Sequence, residues 1–304
     1  MNLLLEQLLN GLQFGVMLFL LAAGLTLVFG IMGLINLAHG SLYMIGAYAA
    51  AYVGVRTGSF LLAILAGLAA AAATGVAVEM IVLRRLYRRD HLHQVLATFG
   101  LILFFNEGMS ILFGRQPLFA NVPATLAGAL TLPGGLRYPV YRLVIMATGA
   151  GVAGFLYLLI QHTRIGMLVR AGATHRDMVR ALGVNVPLLY TAVFGLGALL
   201  AGLAGSMAGP LLSVQIGMGE QILILTFVVI VIGGIGSVRG AVIGALLVGL
   251  VDTMVRAFLP GLLRGIMSNA SADSVGGGFS SISVYLLMAI VLLWRPRGLF
   301  PAHG

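Results

Sequence analysis

Asn36, His39, Ser41 and Tyr43 place four hydrogen-bonding side chains within eight residues of an otherwise apolar run, GIMGLINLAHGSLYMIGAY. An amide, an imidazole and two hydroxyls can exchange hydrogen bonds with a passing polar solute. Such groups are costly at membrane depth and tend to face a bundle interior or a wet path. Gly30, Gly33, Gly40 and Gly46 weaken the helix here, and a broken helix inside a bilayer is tolerated only where protein or a cavity satisfies its backbone. Asn36, His39, Gly40 and Ser41 therefore read as one wall of a translocation path. The alternative is a helix-end turn at a membrane surface with His39 in water. A lone histidine does not make a metal site, and none is expected.

Two acidic residues sit in other apolar runs: Glu107, beside Asn106 in GLILFFNEGMSILFG, and Asp252, in LVGLVDTMVRAF. Glu107 is the candidate for a proton relay. Asp252 has Arg256 four residues on, on the same helix face, and reads as a neutralised pair. In residues 225–249, Gly233, Gly234, Gly236, Gly240 and Gly244 mark two short apolar segments joined by a tight turn. Gly233 and Gly234 are assigned to the path, although small residues at four-residue spacing equally serve helix packing. Leu25, Thr26, Val28, Gly33 and Ile35 recur 200 positions later as Leu225, Thr226, Val228, Gly233 and Ile235, which suggests two related halves.

A third chemistry-bearing stretch, residues 164–187, is a charged island carrying four of the 17 arginines. Thr174 is placed to N-cap a helix, with Asp177 three residues on near the positive end of its dipole. Arg176 and Arg180 share one face, Met178 and Leu182 another, and Gly183 stops the helix. A short capped helix projecting into water suits docking to a partner. A plain basic loop needs neither cap nor stop.

The elements that position these residues follow from composition. At 304 residues, 60% hydrophobic, 8% charged and with mean hydropathy +1.09, the chain has too little charge to cover a soluble globule and is an integral membrane protein. A net charge of +9 would suggest nucleic acid in a soluble protein, but here an anionic inner leaflet explains it and no nucleic acid is expected. No cysteine is present and the first basic residue is Arg56, so a cleaved signal peptide is not expected.

Apolar segments at 8–31, 61–83, 94–113, 143–161, 188–208, 221–236, 240–259 and 281–294, with a more polar one at 40–55, predict an all-α polytopic bundle of nine spans, within a range of eight to ten. The arginines at 84–89, 164–180 and 295–297 mark the inner side. Two spans then separate the first two clusters and four the last two, so the parity is consistent. This puts the C-terminus inside and the N-terminus outside. Residues 114–142, rich in proline and glycine, and 260–280, ending in Gly276-Gly277-Gly278, read as outer loops of a single membrane domain over 1–304. No Walker A sequence, HExxH or GxSxG elbow is present, so no enzyme activity of the chain's own is expected.

With these residues laid out, the chain resembles the LivH-like permease subunits of branched-chain amino acid ABC importers over nearly its full length. The resemblance rests on GLTLVFGIMGLINLAHGSLYMIGAY at 24–48, LATFGL at 96–101, TRIGMLVRA with RALGVNV at 163–186, VIGGIGSVRGAVIGALLVG at 231–249 and WRPRGLF at 294–300. It implies a multi-pass bacterial inner-membrane subunit working with a second homologous permease, two cytoplasmic ATPases and an external solute-binding protein, with no cofactor of its own and ATP on the partners. It assigns 164–187, with Thr174, Arg176, Asp177, Arg180 and Gly183, to the contact with the ATPase. Where the family commonly has glutamate after the glycine-rich turn, this chain has Asp252, and no role carries over. The expectation is a permease of amino acids or similar small polar solutes, against the alternative of an ion-driven transporter using Glu107.

Overall fold

A computed structural model describes residues 2–300 except 88, 133 and 175. Arg88 of the first arginine cluster and Pro133 of the long loop thus lie outside the described residues. Among those described there are eleven helices: α1 (Asn2–Met32), α2 (His39–Thr57), α3 (Phe60–Val78, continued by a π turn at Glu79–Leu83 and a last turn at Arg84–Leu86), α4 (His91–Phe113), α5 (Val140–His162), α6 (Arg164–Thr174), α7 (Arg176–Ala181), α8 (Val186–Ala208), α9 (Met218–Gly233), α10 (Val238–Leu263) and α11 (Asn269–Trp294). A small hairpin, β1 (Ala129–Thr131) with β2 (Arg137–Pro139), lies in the loop after α4. The bundle is all-α and polytopic, and every predicted apolar segment is a helix. Among the described residues seven helices are long and apolar enough to cross a membrane; of the nine predicted segments, the exceptions are α2 and the 16-residue α9.

Those two helices begin inside the bundle. A Cβ placed on Gly24 of α1 would stand 2.6 Å from the carbonyl oxygen of Gly197, midway along α8, and 3.0 Å from His39 Nε2 at the start of α2. At Gly40 the added Cβ would stand 2.3 Å from the Gly219 carbonyl oxygen, and at Gly219 it would stand 2.1 Å from that of Gly40. The N-terminal turns of α2 and α9 therefore meet backbone to backbone at mid-depth. From there α2 runs along the C-terminal half of α8, where Gly46 abuts Gly202, while α9 runs toward the C-terminal end of α1, where Gly30 abuts Gly236. Since α1 and α8 are antiparallel, with Ile31 beside Tyr190 and Gly24 beside Gly197, α2 and α9 leave the centre in opposite directions.

This is an inverted repeat: α1 to α4 are echoed by α8 to α11 with every helix reversed. α1 packs on α10 at Gly15 and Ala245 as α8 packs on α3 at Gly202 and Ala71. Ser59 caps α3 and Ser237 caps α10 through their hydroxyls. Asp90 caps α4 and Ser268 caps α11. The two halves exist, but the 200-residue echo does not mark them, because it aligns α1 with α9 and not with α8.

The loop expected over 260–280 is corrected. α10 continues to Leu263 and α11 starts at Asn269, so Gly276-Gly277-Gly278 is helical. Tertiary contact outweighs the propensity cost of glycine: a Cβ on Gly276 would stand 2.9 Å from Pro260 Cγ, so the glycine lets α11 close on α10. Between Gly114 and α5 the chain is mostly irregular, as predicted, and is tied down by an antiparallel bridge of Leu118 to Val214.

Candidate functional site

Gly33, at φ +60°, ends α1, and five residues return the chain to mid-depth. There Asn36 Oδ1 accepts the Ala38 N–H at 3.1 Å, which shapes the turn into α2. Asn36, His39 and Ser41 are buried, at 1%, 0% and 4% exposure. Among the described residues, Asn36 Nδ2, Ser41 Oγ and the Oγ1 of buried Thr26 have no hydrogen-bond partner, and the buried His39 ring has no side-chain partner and reaches only toward the Leu21 backbone. Polar atoms kept dry and unpaired are expensive. A concentration of them beside two converging helix N-termini is the arrangement a polar solute or water would satisfy.

Asn36, His39, Gly40 and Ser41 are thus brought together, with Gly219 added by the fold. Gly233 and Gly234 are not among them. They end α9, a full helix length from Gly219: Gly233 packs on Gly240 and Gly234 on Gly298, with Cβ approaches of 2.2 and 2.5 Å. Leu299 and Phe300 donate their N–H groups to the Ile232 and Gly233 carbonyls, both at 2.9 Å. These two glycines form a packing seam that also holds the C-terminal segment.

The carboxylates sort differently from expectation. Glu107 lies on the exposed face of α4, while its neighbour Asn106 turns inward and donates to Glu220 Oε1 at 2.6 Å. Glu220, in the first turn of α9 next to Gly219, was not singled out from the sequence; only its place at the end of an apolar run could have flagged it. Asp252 is neutralised as expected, its two oxygens accepting from Arg256 Nε at 2.9 and 2.8 Å.

A second carboxylate missed by sequence reading is Glu79, wholly buried in the π turn of α3. It pairs with Arg84 at 3.2 Å and accepts from the Tyr87 and Thr191 hydroxyls at 2.7 Å each. Burial and the Glu79 carboxylate push the Tyr87 phenol well above its usual range. A single glutamate at the end of an apolar segment carries no signal of its own in the sequence. The cluster ties the arginine end of α3 to the first turns of α8.

The island is helical over Arg164–Thr174 and over Arg176–Ala181, on either side of residue 175, which lies outside the described residues. Thr174 is the last described residue of α6 and donates its hydroxyl back to the Arg170 carbonyl at 3.0 Å; the cap expected of it falls beside residue 175, outside the described residues. At the other end of α6, which starts in a sharp turn after α5, Thr163 Oγ1 accepts the Gly166 N–H at 3.0 Å. Gly166 permits that turn, its added Cβ lying 2.2 Å from the Ile160 carbonyl oxygen. The side chains of Arg176 and Asp177 lie outside the described parts. Val179 is buried against the bundle while Met178, Arg180 and Leu182 are exposed. Gly183, at φ +85°, stops α7 as expected, and Asn185 caps α8. Beside the membrane helices, α7 thus offers a basic and apolar face.

Between α2, α3 and the loop after α4 lies a cavity of about 330 Å³ lined by Ser59, Asn121, Ser206 and small apolar residues. Among the described residues, no three His, Asp or Glu side chains cluster as a metal site.

Residues 7–294 match the family model described as "Branched-chain amino acid transport system / permease component". The chain is 29% identical to the high-affinity branched-chain amino acid transport system permease protein BraD of Pseudomonas aeruginosa, over 97% of this chain and 95% of that protein. It is 29% identical to the corresponding LivH of Escherichia coli K12, over 96% of each. It is also 30% identical to the E. coli K12 ribose import permease protein RbsC, over 77% of this chain and 72% of that one. No solved structure matches the chain.

Proposed function

The chain belongs to the family of branched-chain amino acid transport permease components, and we propose that it carries amino acids or similar small polar organic solutes inward as the membrane subunit of an ATP-driven importer. In this reading it works with two cytoplasmic ATPases, a second permease and an external solute-binding protein in a bacterial inner membrane. It is a multi-pass permease. ATP hydrolysis belongs to the partners.

One observation carries the assignment of the path: the mid-depth meeting of α2 and α9 at Gly40 and Gly219, beside buried His39 and the unpartnered polar atoms of Asn36 and Ser41. Two helices that stop at the centre of a bundle can part without unfolding, which opens polar backbone to a solute. The segment 164–187, with Thr174, Arg176, Asp177, Arg180 and Gly183, is the proposed contact with the ATPase, and the exposed face of α7 supports it. The relay reading loses ground because exposed Glu107 has no hydrogen-bond partner among the described residues.

The test is uptake of leucine, and separately of ribose, into vesicles holding the permease with its ATPases and binding protein. Uptake should require ATP. Uptake driven by a proton gradient without ATPases would overturn the proposal.

A further inference from the structure

Where α5 ends and α10 begins, two cavities lie side by side. One, of about 410 Å³, is lined in part by Thr26, Arg170, Thr174 and Ser237. The other, of about 280 Å³, is almost wholly apolar, with Leu156, Tyr157, Val242, Ile243 and Phe300 in its wall. They share Ile160, Gln161, Val238 and Arg239, so they form one groove with a polar and an apolar end. Tyr157, Ile243 and Phe300 are partly exposed, and α5 and α10 are both of membrane-crossing length and hydropathy. The apolar end therefore opens toward acyl chains.

Arg239 marks the change from one end to the other, its guanidinium carbon 6.0 Å from the Tyr157 ring centroid. Arg170 stands at the polar end and donates to the Ile160 carbonyl. Neither has an acidic partner among the described residues. α6 runs beside the groove with Ile165 and Met167 exposed between Arg164 and Arg170, the pattern of a helix lying in a membrane interface.

We propose that this groove is a binding site for an anionic phospholipid, with its phosphate between Arg239 and Arg170 and one acyl chain along Leu156, Tyr157, Val242 and Ile243. Charge complementarity selects the headgroup, because two guanidiniums without an acidic partner among the described residues favour a phosphate over a zwitterion. The apolar half has no use for a soluble anion. The same groove touches Thr26 on one side and the C-terminal segment through Phe300 on the other, so an occupying lipid would brace the end of α9.

The chain's only tryptophan is Trp294, which allows a clean reporter. In the assembled permease carrying Trp294→Phe and Ile243→Trp, fluorescence is measured in phosphatidylcholine vesicles containing brominated phosphatidylglycerol or, separately, brominated phosphatidylcholine. Quenching should show about fivefold preference for phosphatidylglycerol for each arginine engaged. Arg239→Gln should remove much of that preference and Arg239→Lys should restore part of it. Val242→Phe, which fills the apolar half and leaves both arginines, should reduce quenching by either lipid. Equal quenching by the two lipids, or a preference unchanged in Arg239→Gln, would overturn the site. Displacement of the preference by millimolar inorganic phosphate would also overturn it, in favour of a soluble-anion site.

Discussion

The backbones of Gly40 and Gly219 are in contact, so that either residue's Cβ would fall within 2.3 Å of the other's carbonyl oxygen. They lie in opposite halves of the inverted repeat, at the N-terminal turns of two helices that start inside the bundle. No side chain fits between them.

Gly40→Ala and Gly219→Ala should each force the two helix starts apart, at a cost of about 1–3 kcal/mol from overpacking. The bundle should still insert, while transport falls steeply. Because the two residues touch, the double variant should be less harmful than the sum of the single ones. Transport by reconstituted single and double variants checks this; additive losses would argue against a shared contact.

Asn36→Leu should lose at least about tenfold in transport, the equivalent of one hydrogen bond to a solute, and should also lower stability, because the Ala38 N–H loses its acceptor. The measurement is uptake at matched protein level. Unchanged uptake would take Asn36 off the path.

Glu79→Gln should destabilise the chain by about 1–3 kcal/mol, because it leaves Arg84 without its carboxylate and weakens the bonds from Tyr87 and Thr191. The lower end of that range applies if half-exposed Arg84 can turn to water. Thermal unfolding in detergent reads it, with Thr191→Val expected to do part of the same damage. Equal stability of Glu79→Gln and the parent would mean the cluster does not hold α3 to α8.

In the island the two threonines should behave differently. Thr163→Ala removes the cap of α6, worth about 1 kcal/mol. Thr174→Val should cost less, since the bond of its hydroxyl among the described residues returns to the carbonyl of its own helix. Arg176→Glu with Arg180→Glu should leave insertion intact and abolish ATPase association, because it reverses the charge of the face proposed to dock. Co-purification with the ATPase and substrate-stimulated hydrolysis are the readouts.

The absence of native cysteine makes sidedness directly testable. Thr125→Cys, exposed in the loop after α4, should react with an impermeant maleimide only from outside the cell. Arg180→Cys should react only from the cytoplasm. The reverse pattern would invert the topology.

What the sequence determined by itself is what local composition decides. A segment's hydropathy sets whether it can enter a bilayer, so the nine apolar segments, the island and the helix stop at Gly183 were all legible, as was the pairing of Asp252 with a residue one turn away. Family membership was legible too, from motifs such as LAHGSLYMIGAY. What only the tertiary structure decided is which glycine meets which. Gly24 with Gly197 and Gly40 with Gly219 join positions far apart in the chain, and glycine is too common here, at 43 residues, for any spacing to single those pairs out. The same cause made Gly276-Gly277-Gly278 look like a loop, since the contact with Pro260 that makes a helix worth forming comes from another element. It also hid Glu79 and Glu220, whose partners Thr191 and Asn106 are brought to them by packing and by nothing in their own neighbourhood.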